Sequence, residues 1–411
     1  GDTIKSVALT TLPASGVIKD NGADVVAPTS IAVADIATLT YTPASHISGN
    51  GLGDFTFTVR DSSDADDATA RSFGINVTPV ADTPNLTVNA ATGSEDTAIS
   101  LTVTGSLVDV DGSETLTYQI TGVPTGASLN NGTDAGGGTY NLSAADVTGL
   151  TLTPNLHDDT NFNLSVTATA TEGANAATAT STVNTLAVTV NAIADTPNLS
   201  VAAANGNEDT AISLSVTGSL VDTDGSETLT YRISNVPTGA SLSAGTDAGG
   251  GVWNLTAGQV SGLTITPNSH DDTNFTLAVT ATATEGNADS ATTAVNNLIV
   301  TVNAVADTPN LTVNAALGSE DTAINLTITG SLVDTDGSET LTYQITGVPT
   351  GAVLNNGVDA GGGTWNLGAA DTTGLTITPP LHDSDDFNLS VTATATESAN
   401  SNAETTVVST I

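Results

Sequence analysis

The 411-residue chain contains no cysteine and no methionine, only 3% aromatic residues, and five Lys and Arg against 44 Asp and Glu, a formal net charge of -39. Each deficit excludes something. Without cysteine there are no disulfide staples, no thiolate metal sites and no thiol nucleophile. Without methionine there is no initiator, which predicts a processed product or an excerpt of a longer chain. The scarcity of cations excludes nucleic acid as a partner, because that affinity comes largely from Lys and Arg on phosphates. It argues equally against an anionic membrane surface. No apolar run approaches the roughly 20 residues of a spanning helix, and no signal peptide is present. Nor is this an acidic disordered tail, since hydrophobic residues make up 38% and alternate with Thr and Ser. An acidic, cysteine-free chain rich in Thr, Val and Gly reads as a secreted microbial surface protein.

Internal repetition dominates what is there. ADTPNL begins at Ala81, Ala194 and Ala306, spacings of 113 and 112 residues. TGSLVDxDGSETLTY begins at Thr104, Thr217 and Thr329, DAGGG at Asp134, Asp247 and Asp359, and TATATE ends at Glu172, Glu285 and Glu397. These registers define units at 82–194, 195–306 and 307–411, with 1–81 a divergent unit. By alignment to Gly112–Gly126, the first unit lacks about 30 residues at its start. Ile411 aligns with Leu186, so the last unit lacks its final strand. An excerpt from a longer array explains both ends; strand exchange with a neighbour is the alternative.

Each unit reads as short strands in period-two alternation, with turn residues at short intervals. That pattern predicts an all-β fold of tandem antiparallel Ig-like or cadherin-like β-sandwiches in an elongated array. In unit 82–194 the expected strands are Leu86–Ala90, Ile99–Val108, Thr115–Val123, Phe162–Thr171 and Ala187–Asn191, with short pieces at Ala127–Leu129, Thr139–Leu142 and Leu150–Thr153. The one helical expectation is a short turn at Ser143–Val147. The predicted core is Leu101, Val103, Leu107, Leu116, Tyr118, Ile120, Leu164, Val166, Val188 and Val190, anchored by Tyr140 and its equivalents Trp253 and Trp365. The outward Thr rows fit β-propensity on a solvated face; a twisted face is a poor platform for an ice-binding Thr array.

The carboxylates fall at the poles of this fold rather than on its strand faces. In an Ig-like sandwich the turn after the second strand and the end of the sixth share the N-terminal pole. That pole gathers Asp109, Asp111, Glu114 and Glu172 beside linker Asp82. The C-terminal pole carries Glu95 and Asp96, with His157, Asp158 and Asp159. Head to tail, one junction would gather Glu95, Asp96, Asp195, Asp222, Asp224, Glu227 and Glu285. The next would gather Glu208, Asp209, Asp307, Asp334, Asp336, Glu339 and Glu397. Glu320 and Asp321 repeat the pattern in the last unit. Two charges 4 Å apart repel by about 4 kcal/mol at an effective dielectric of 20, and beyond residue 82 the only Lys or Arg is Arg232. Ca²⁺, with six to eight oxygen ligands in flexible geometry, is the expected counterion. Mg²⁺ demands stricter geometry, and Zn²⁺ prefers His or Cys, of which each repeat offers one His.

Other chemistry is weak. His157-Asp158-Asp159, reproduced in tandem, is a structural loop rather than an acid–base site. DAGGG follows no strand–loop–helix pattern and is not a phosphate loop. Isopeptide bonds need Lys, and the chain has only Lys5 and Lys19. No nucleophile or acid–base pair supports an enzyme, and the few aromatics leave little for a glycan pocket.

The linkers ADTPxLxV, the segments SEDTAI and NEDTAI, LVDxDGSETLTY, GVPTGA, the GLTxTP segment and the TATATE ending together resemble the Ig-like or cadherin-like extender modules of giant bacterial adhesins of the repeats-in-toxin type. The resemblance covers residues 82–411; the first unit is similar to a related cadherin-like repeat through LTTLPASGVIKDNGADV, LTYTPA and GDFTFTVRD. It implies export to the bacterial cell surface, adhesion and biofilm context, and calcium stiffening at domain junctions, with neighbouring repeats of the same chain as the partners. Nothing matches a terminal ligand-binding module, so the piece would be stalk. The rival expectation is a subunit of an extracellular filament or surface layer, self-associating by strand exchange.

Overall fold

A computed structural model describes residues 1–408. Strands account for nearly all of its regular structure, most of them antiparallel, and the helical elements among the described residues are three short 3-10 turns. None is long and apolar enough to cross a membrane. The chain divides into two compact units, Gly1–Ile193 and Ala194–Ile411.

Within the first unit, residues 82–193 build around the antiparallel ladder of Glu114–Thr121 with Phe162–Glu172. Thr139–Ser143 pairs on one side of it and Asn184–Asn191 on the other. A second layer consists of Asn85–Asn89 with Thr102–Ser106, and of Thr151–Thr153 between Ile99–Ser100 and Ser128–Leu129. Alternation explains the layers. Along Phe162–Glu172 the inward positions are Leu164, Val166, Ala168, Ala170 and Glu172, each buried. The inward row of Glu114–Thr121 begins with Glu114 and passes through Leu116, Tyr118 and Ile120. The same period that fills the core with apolar side chains therefore ends both rows on a glutamate.

Three sequence expectations change in detail. The strand expected over Ile99–Val108 breaks at Leu101, whose N–H donates to Leu150 O at 2.9 Å, and its halves join different partners. The sandwich is not purely antiparallel, because Ala91–Ser94 runs parallel to Asn184–Asn191. Leu107 is only half-buried and stands outside the core cluster, while Leu116 packs against it. Tyr140 and Trp365 are buried and Trp253 packs against its cluster, as anchors should.

Residues 1–81 form thinner layers. Ile4–Leu9 pairs with Thr29–Ala32 and Phe55–Asp61, over Val17–Asp20 flanked by Ala23–Asp24 and Thr40–Thr42. The buried cluster is Leu9, Ile18, Val25 and Ile31.

The second unit repeats the plan twice, around Thr228–Ser234 with Phe275–Thr284 and around Glu339–Thr346 with Ser390–Glu397. Two glycine-dependent features recur. A Cβ on Gly330 would lie 2.5 Å from the Tyr343 hydroxyl, so that position has no room for a side chain. The DAGGG segments are hairpin turns, with Gly361, Gly362 and Gly363 at φ +84°, +61° and +77°, a run only glycine adopts freely.

Candidate metal centre

In the second unit a short turn sets the first carboxylates. Asp334 Oδ1 accepts the Asp336 N–H at 2.9 Å, and Asp336 Oδ1 accepts the Ser338 N–H at 2.7 Å, with Gly337 at φ +99° between them. Asp-x-Asp-Gly-Ser is thus a double side-chain-capped turn. It leads directly into Glu339, which stands opposite Glu397 in the ladder. Like charges opposite one another on adjacent strands are destabilising. The Ser338 hydroxyl lies 3.1 Å from Asp334 Oδ2 and 3.3 Å from Glu397 Oε1, and its one proton serves one of them.

Linker 304–309 runs past this turn. Its backbone N–H groups are taken by carboxylates: Val305 donates to Glu208 Oε1 at 2.6 Å and Asp307 to Glu339 Oε1 at 2.7 Å. Two neutral bonds hold it as well, from Asn400 Nδ2 to Ala304 O at 2.7 Å and from Ala306 N–H to Asn402 Oδ1 at 3.0 Å.

The result is a buried group of three. Glu208, Asp334 and Glu397 are 2%, 2% and 0% exposed, and each offers a carboxylate oxygen within 4.8 Å of the others. Glu208 Oε2, Glu339 Oε2 and Glu397 Oε2 are buried with no hydrogen-bond partner. Burial, with the nearby charges of Asp334, Glu397 and Asp209 adding to it, pushes Glu208 up to about 7. Burial also pushes Glu339 and Glu397 up. An orphaned buried carboxylate oxygen is costly unless a proton or a cation meets it.

Beside it lies a more open group. Asp209, at φ +53°, accepts the His270 N–H on Oδ1 at 2.9 Å. His270 Nδ1 is 2.6 Å from Asp307 Oδ2 and 3.2 Å from Asp209 Oδ2. Burial opposes the imidazolium, yet the two aspartates raise His270 on balance. Asp272 is also raised, by burial and then by Asp336, Asp271 and Asp334. His270 and Asp272 were absent from the expected ligands. The signal was present in the His-Asp-Asp loop, which topology places at the right pole, but only the path of the linker shows that it closes on the next repeat.

Elsewhere in the second unit, Asp195 N–H donates to Glu227 Oε1 at 2.8 Å, and Asp224 N–H to Asp222 Oδ1 at 2.8 Å. Asp222, Glu227 and Glu285 are buried, each with one orphaned oxygen. Glu320 is exposed, and Asp321 lies 3.3 Å from His382; neither joins a carboxylate cluster among the described residues.

The first unit holds a matching pole. Glu114 stands opposite Glu172, and Asp109 is buried beside them in its own capped turn with Asp111. Asp82 N–H donates to Glu114 Oε1 at 2.8 Å, and His46 Nδ1 lies 2.7 Å from Asp82 Oδ2. Glu114 Oε2 and Glu172 Oε2 are orphaned. At the other pole Glu95 is buried and takes the Ile193 N–H at 2.6 Å, while Asp96 takes the His157 N–H at 2.8 Å.

The donor set fits a hard divalent cation. Its centre is three buried carboxylates, each with an oxygen within 4.8 Å of the others, and oxygen ligands of this kind are what such a cation takes. It does not fit a thiolate or multi-histidine metal.

No protein-family model matches the chain, and no curated protein sequence matches it. Among solved structures it is similar to Drosophila N-cadherin EC1-4, at 14% identity and TM-score 0.26 over 98% of this chain and 90% of that one. It is similar to a 1.5-MDa bacterial ice-binding adhesin, at 14% and 0.26 over 81% and 97%. Chicken CNTN1 FN1-FN3 matches at 12% and 0.24 over 79% and 99%.

Proposed function

We propose that this chain is a non-enzymatic, extracellular spacer of a bacterial surface adhesin, divided into sandwiches at 1–81, 82–194, 195–306 and 307–411 and stiffened by calcium at its linkers. The observation that carries the proposal is the buried trio Glu208, Asp334 and Glu397, whose carboxylates converge while Glu208 Oε2 and Glu397 Oε2 are orphaned. Calcium would be held by Glu208, Asp334, Glu397 and Glu339, with Asp336, Asp307, Asp209 and Asp272 within the same junction. It would cancel their repulsion and replace the protons that burial otherwise demands. By the repeat, Asp82, Asp109, Asp111, Glu114 and Glu172 would act alike in the first unit. So would Asp195, Asp222, Asp224, Glu227 and Glu285 at their own pole, with Glu95, Asp96, Glu320 and Asp321 as trailing-pole ligands.

The mechanical consequence follows from the linker. Its two charged anchors, Glu208 and Glu339, belong to successive repeats. A cation shared by their neighbours fixes one repeat against the next; without it, mutual repulsion loosens the joint. The test is small-angle X-ray scattering in millimolar Ca²⁺ and then in excess chelator. Four units of about 40 Å each predict a maximum dimension near 150 Å in calcium, with a broader distribution of distances in chelator. Identical profiles would refute the stiffening role.

A further inference from the structure

Four of the five basic residues stand in ion pairs with acids, and the fifth does not. Arg232 is exposed in the middle of Thr228–Ser234, opposite Asn254 on one neighbouring strand and Thr280 on the other. Among the described residues its side chain meets no carboxylate and makes no hydrogen bond. In a chain with 44 Asp and Glu, that isolation has a local cause.

The cause is a pair of replacements. Where the sister repeats carry Gln119 and Gln344, the second carries Arg232; where they carry Asp146 and Asp371, it carries Gln259. Both positions line one depression of about 480 Å³ on the strand face, together with Asn254, Thr246, Thr256 and Thr282. The two replacements turn one local negative charge into one positive charge. They also release donors. In the sisters the glutamine amide is tied to its neighbour, Gln119 Nε2 to Asn141 Oδ1 at 3.1 Å and Gln344 Nε2 to Asn366 Oδ1 at 3.0 Å. Asp146 and Asp371 each cap a backbone N–H, that of Ser143 and that of Gly368, at 2.8 Å. Gln259 Oε1 keeps this cap, accepting the Thr256 N–H at 2.9 Å, and leaves its Nε2 as a donor. The local fold is therefore conserved while the charge is reversed, so folding does not account for the exchange.

We infer that this depression binds a sugar acid, with one carboxylate on Arg232 and the sugar hydroxyls on Asn254, Gln259 and the threonines. A guanidinium presents a planar fork that matches a carboxylate. Its single charge also sets the charge of the ligand. A monoanion is neutralised, whereas a phosphate dianion or a polyanion would add to a net charge of -39 and be repelled. The surrounding amides and hydroxyls are neutral and both donate and accept, as sugar hydroxyls do. Tyr231 in the floor is buried, so it offers no ring for stacking, and recognition falls to charge and hydrogen bonds. The ligand that fits is an isolated uronate among neutral sugars. The site lies on a strand face rather than at a carboxylate pole, and it goes beyond the spacer role without depending on it.

The probe is methyl β-D-glucuronide, titrated into the full chain in millimolar calcium by saturation-transfer NMR, with methyl β-D-glucoside as the neutral comparison. The glucuronide should saturate and bind at least tenfold more tightly. Arg232→Gln and Gln259→Asp each restore the residue that both sisters carry, so each should fold with an unchanged melting temperature. Arg232→Gln should weaken glucuronide binding at least tenfold and leave the glucoside unaffected. Gln259→Asp should weaken it severalfold, by facing the ligand with a like charge. Arg232→Lys keeps the charge without the fork and should fall between parent and Arg232→Gln. Equal binding of the two sugars, or glucuronide binding that neither restoring variant changes, would overturn the inference. Acetate binding as tightly as the glucuronide would reduce the site to a bare anion contact and overturn it too. So would self-association in sedimentation velocity that Arg232→Gln abolishes while glucuronide binding stays unchanged, since the occupant would then be a second copy of this chain.

Discussion

Residues 1–81 and residues 195–408 deal with the same chemistry, excess carboxylate, in opposite ways. The first stretch holds four of the five basic residues, and each meets an acid at the surface: Lys5 with Asp64, Lys19 with Asp24, Arg60 with Asp66 and Arg71 with Asp67. These acids are exposed or partly so, and water does most of the work of stabilising them. In the second stretch Arg232 is the only Lys or Arg. There, acids are drawn inward at the ends of core-facing rows, where water is excluded and, among the described residues, neither Lys nor Arg pairs with them. The first arrangement pairs its acids with cations of its own. The second leaves buried carboxylates that a proton or, on the function proposed above, a cation would meet.

On the function proposed above, removing calcium is the largest way to break this contrast. A ligand at one hundred times its dissociation constant adds about 2.7 kcal/mol per site. For repeats of this size, one such site lost means a fall of roughly 10 °C or more in melting temperature. Hydrogen exchange resolves the regions: amides around Val391 and Val279 should lose protection on chelation, while those around Leu9 and Ile18 should change little. Equal loss everywhere would mean that the two stretches do not differ in kind.

Glu397→Gln sharpens the contrast at one residue. It removes the charge facing Glu339 while keeping the shape of the side chain. In chelator the variant should melt several degrees above the parent, because a like-charge pair is gone. In calcium it should melt below it, with affinity at that junction at least tenfold weaker by calorimetric titration. A variant less stable under both conditions would point to a hydrogen-bond role through Ser338 instead of a charge role.

Much of this was legible in the residues. FNLSVTATATE shows its period without help, and once Leu164 and Val166 face inward, Glu172 must do so too. The acids at Asp334, Asp336, Glu339 and Glu397 announce themselves by recurring where strands turn. What sequence concealed were features decided by distant partners. Ala91–Ser94 carries Ala-Thr-Gly-Ser, with little β-propensity, and is a strand only because Asn184–Asn191 lies beside it. The break at Leu101 comes from Leu150 claiming its N–H. His270 and Asp272 gained significance only when Asp307 and Asp336 arrived from the following repeat. Glu320 shows the converse: its local sequence matches that of Glu208, yet without a strand and linker over it the side chain stays in water.

Acidification should separate the two regions more gently. Glu208 moves from 4.5 to about 7, and Glu339 and Glu397 move in the same direction. Their unfolded counterparts hold protons only below about 4.5. Between those values the native chain binds more protons than the unfolded one, so its cation-free stability rises as pH falls and is lowest above 7. In chelator, the melting temperature of 195–408 should therefore be higher at pH 5.5 than at 7.5. The gain from added calcium should be greater at pH 7.5, where protons no longer compete. A chelated protein most stable at pH 7.5 would show that the buried trio is not the controlling group.

The surface pairs of 1–81 should give the smallest effect. Arg60 meets Asp66 through two bonds of 2.8 Å, a bidentate contact, but both partners are about half exposed. The hydrogen bond from Arg60, helped by its charge, holds Asp66 below the usual carboxylate range, so this pair contributes at neutral pH and fades as Asp66 protonates in acid. Arg60→Ala should lower the melting temperature by little more than the error of measurement, and the difference should vanish in 1 M salt, where screening acts over about 3 Å. It should be the same in calcium and in chelator. A calcium-dependent loss on removing Arg60 would mean that the first repeat also relies on the cation, and the two regions would then differ in degree only.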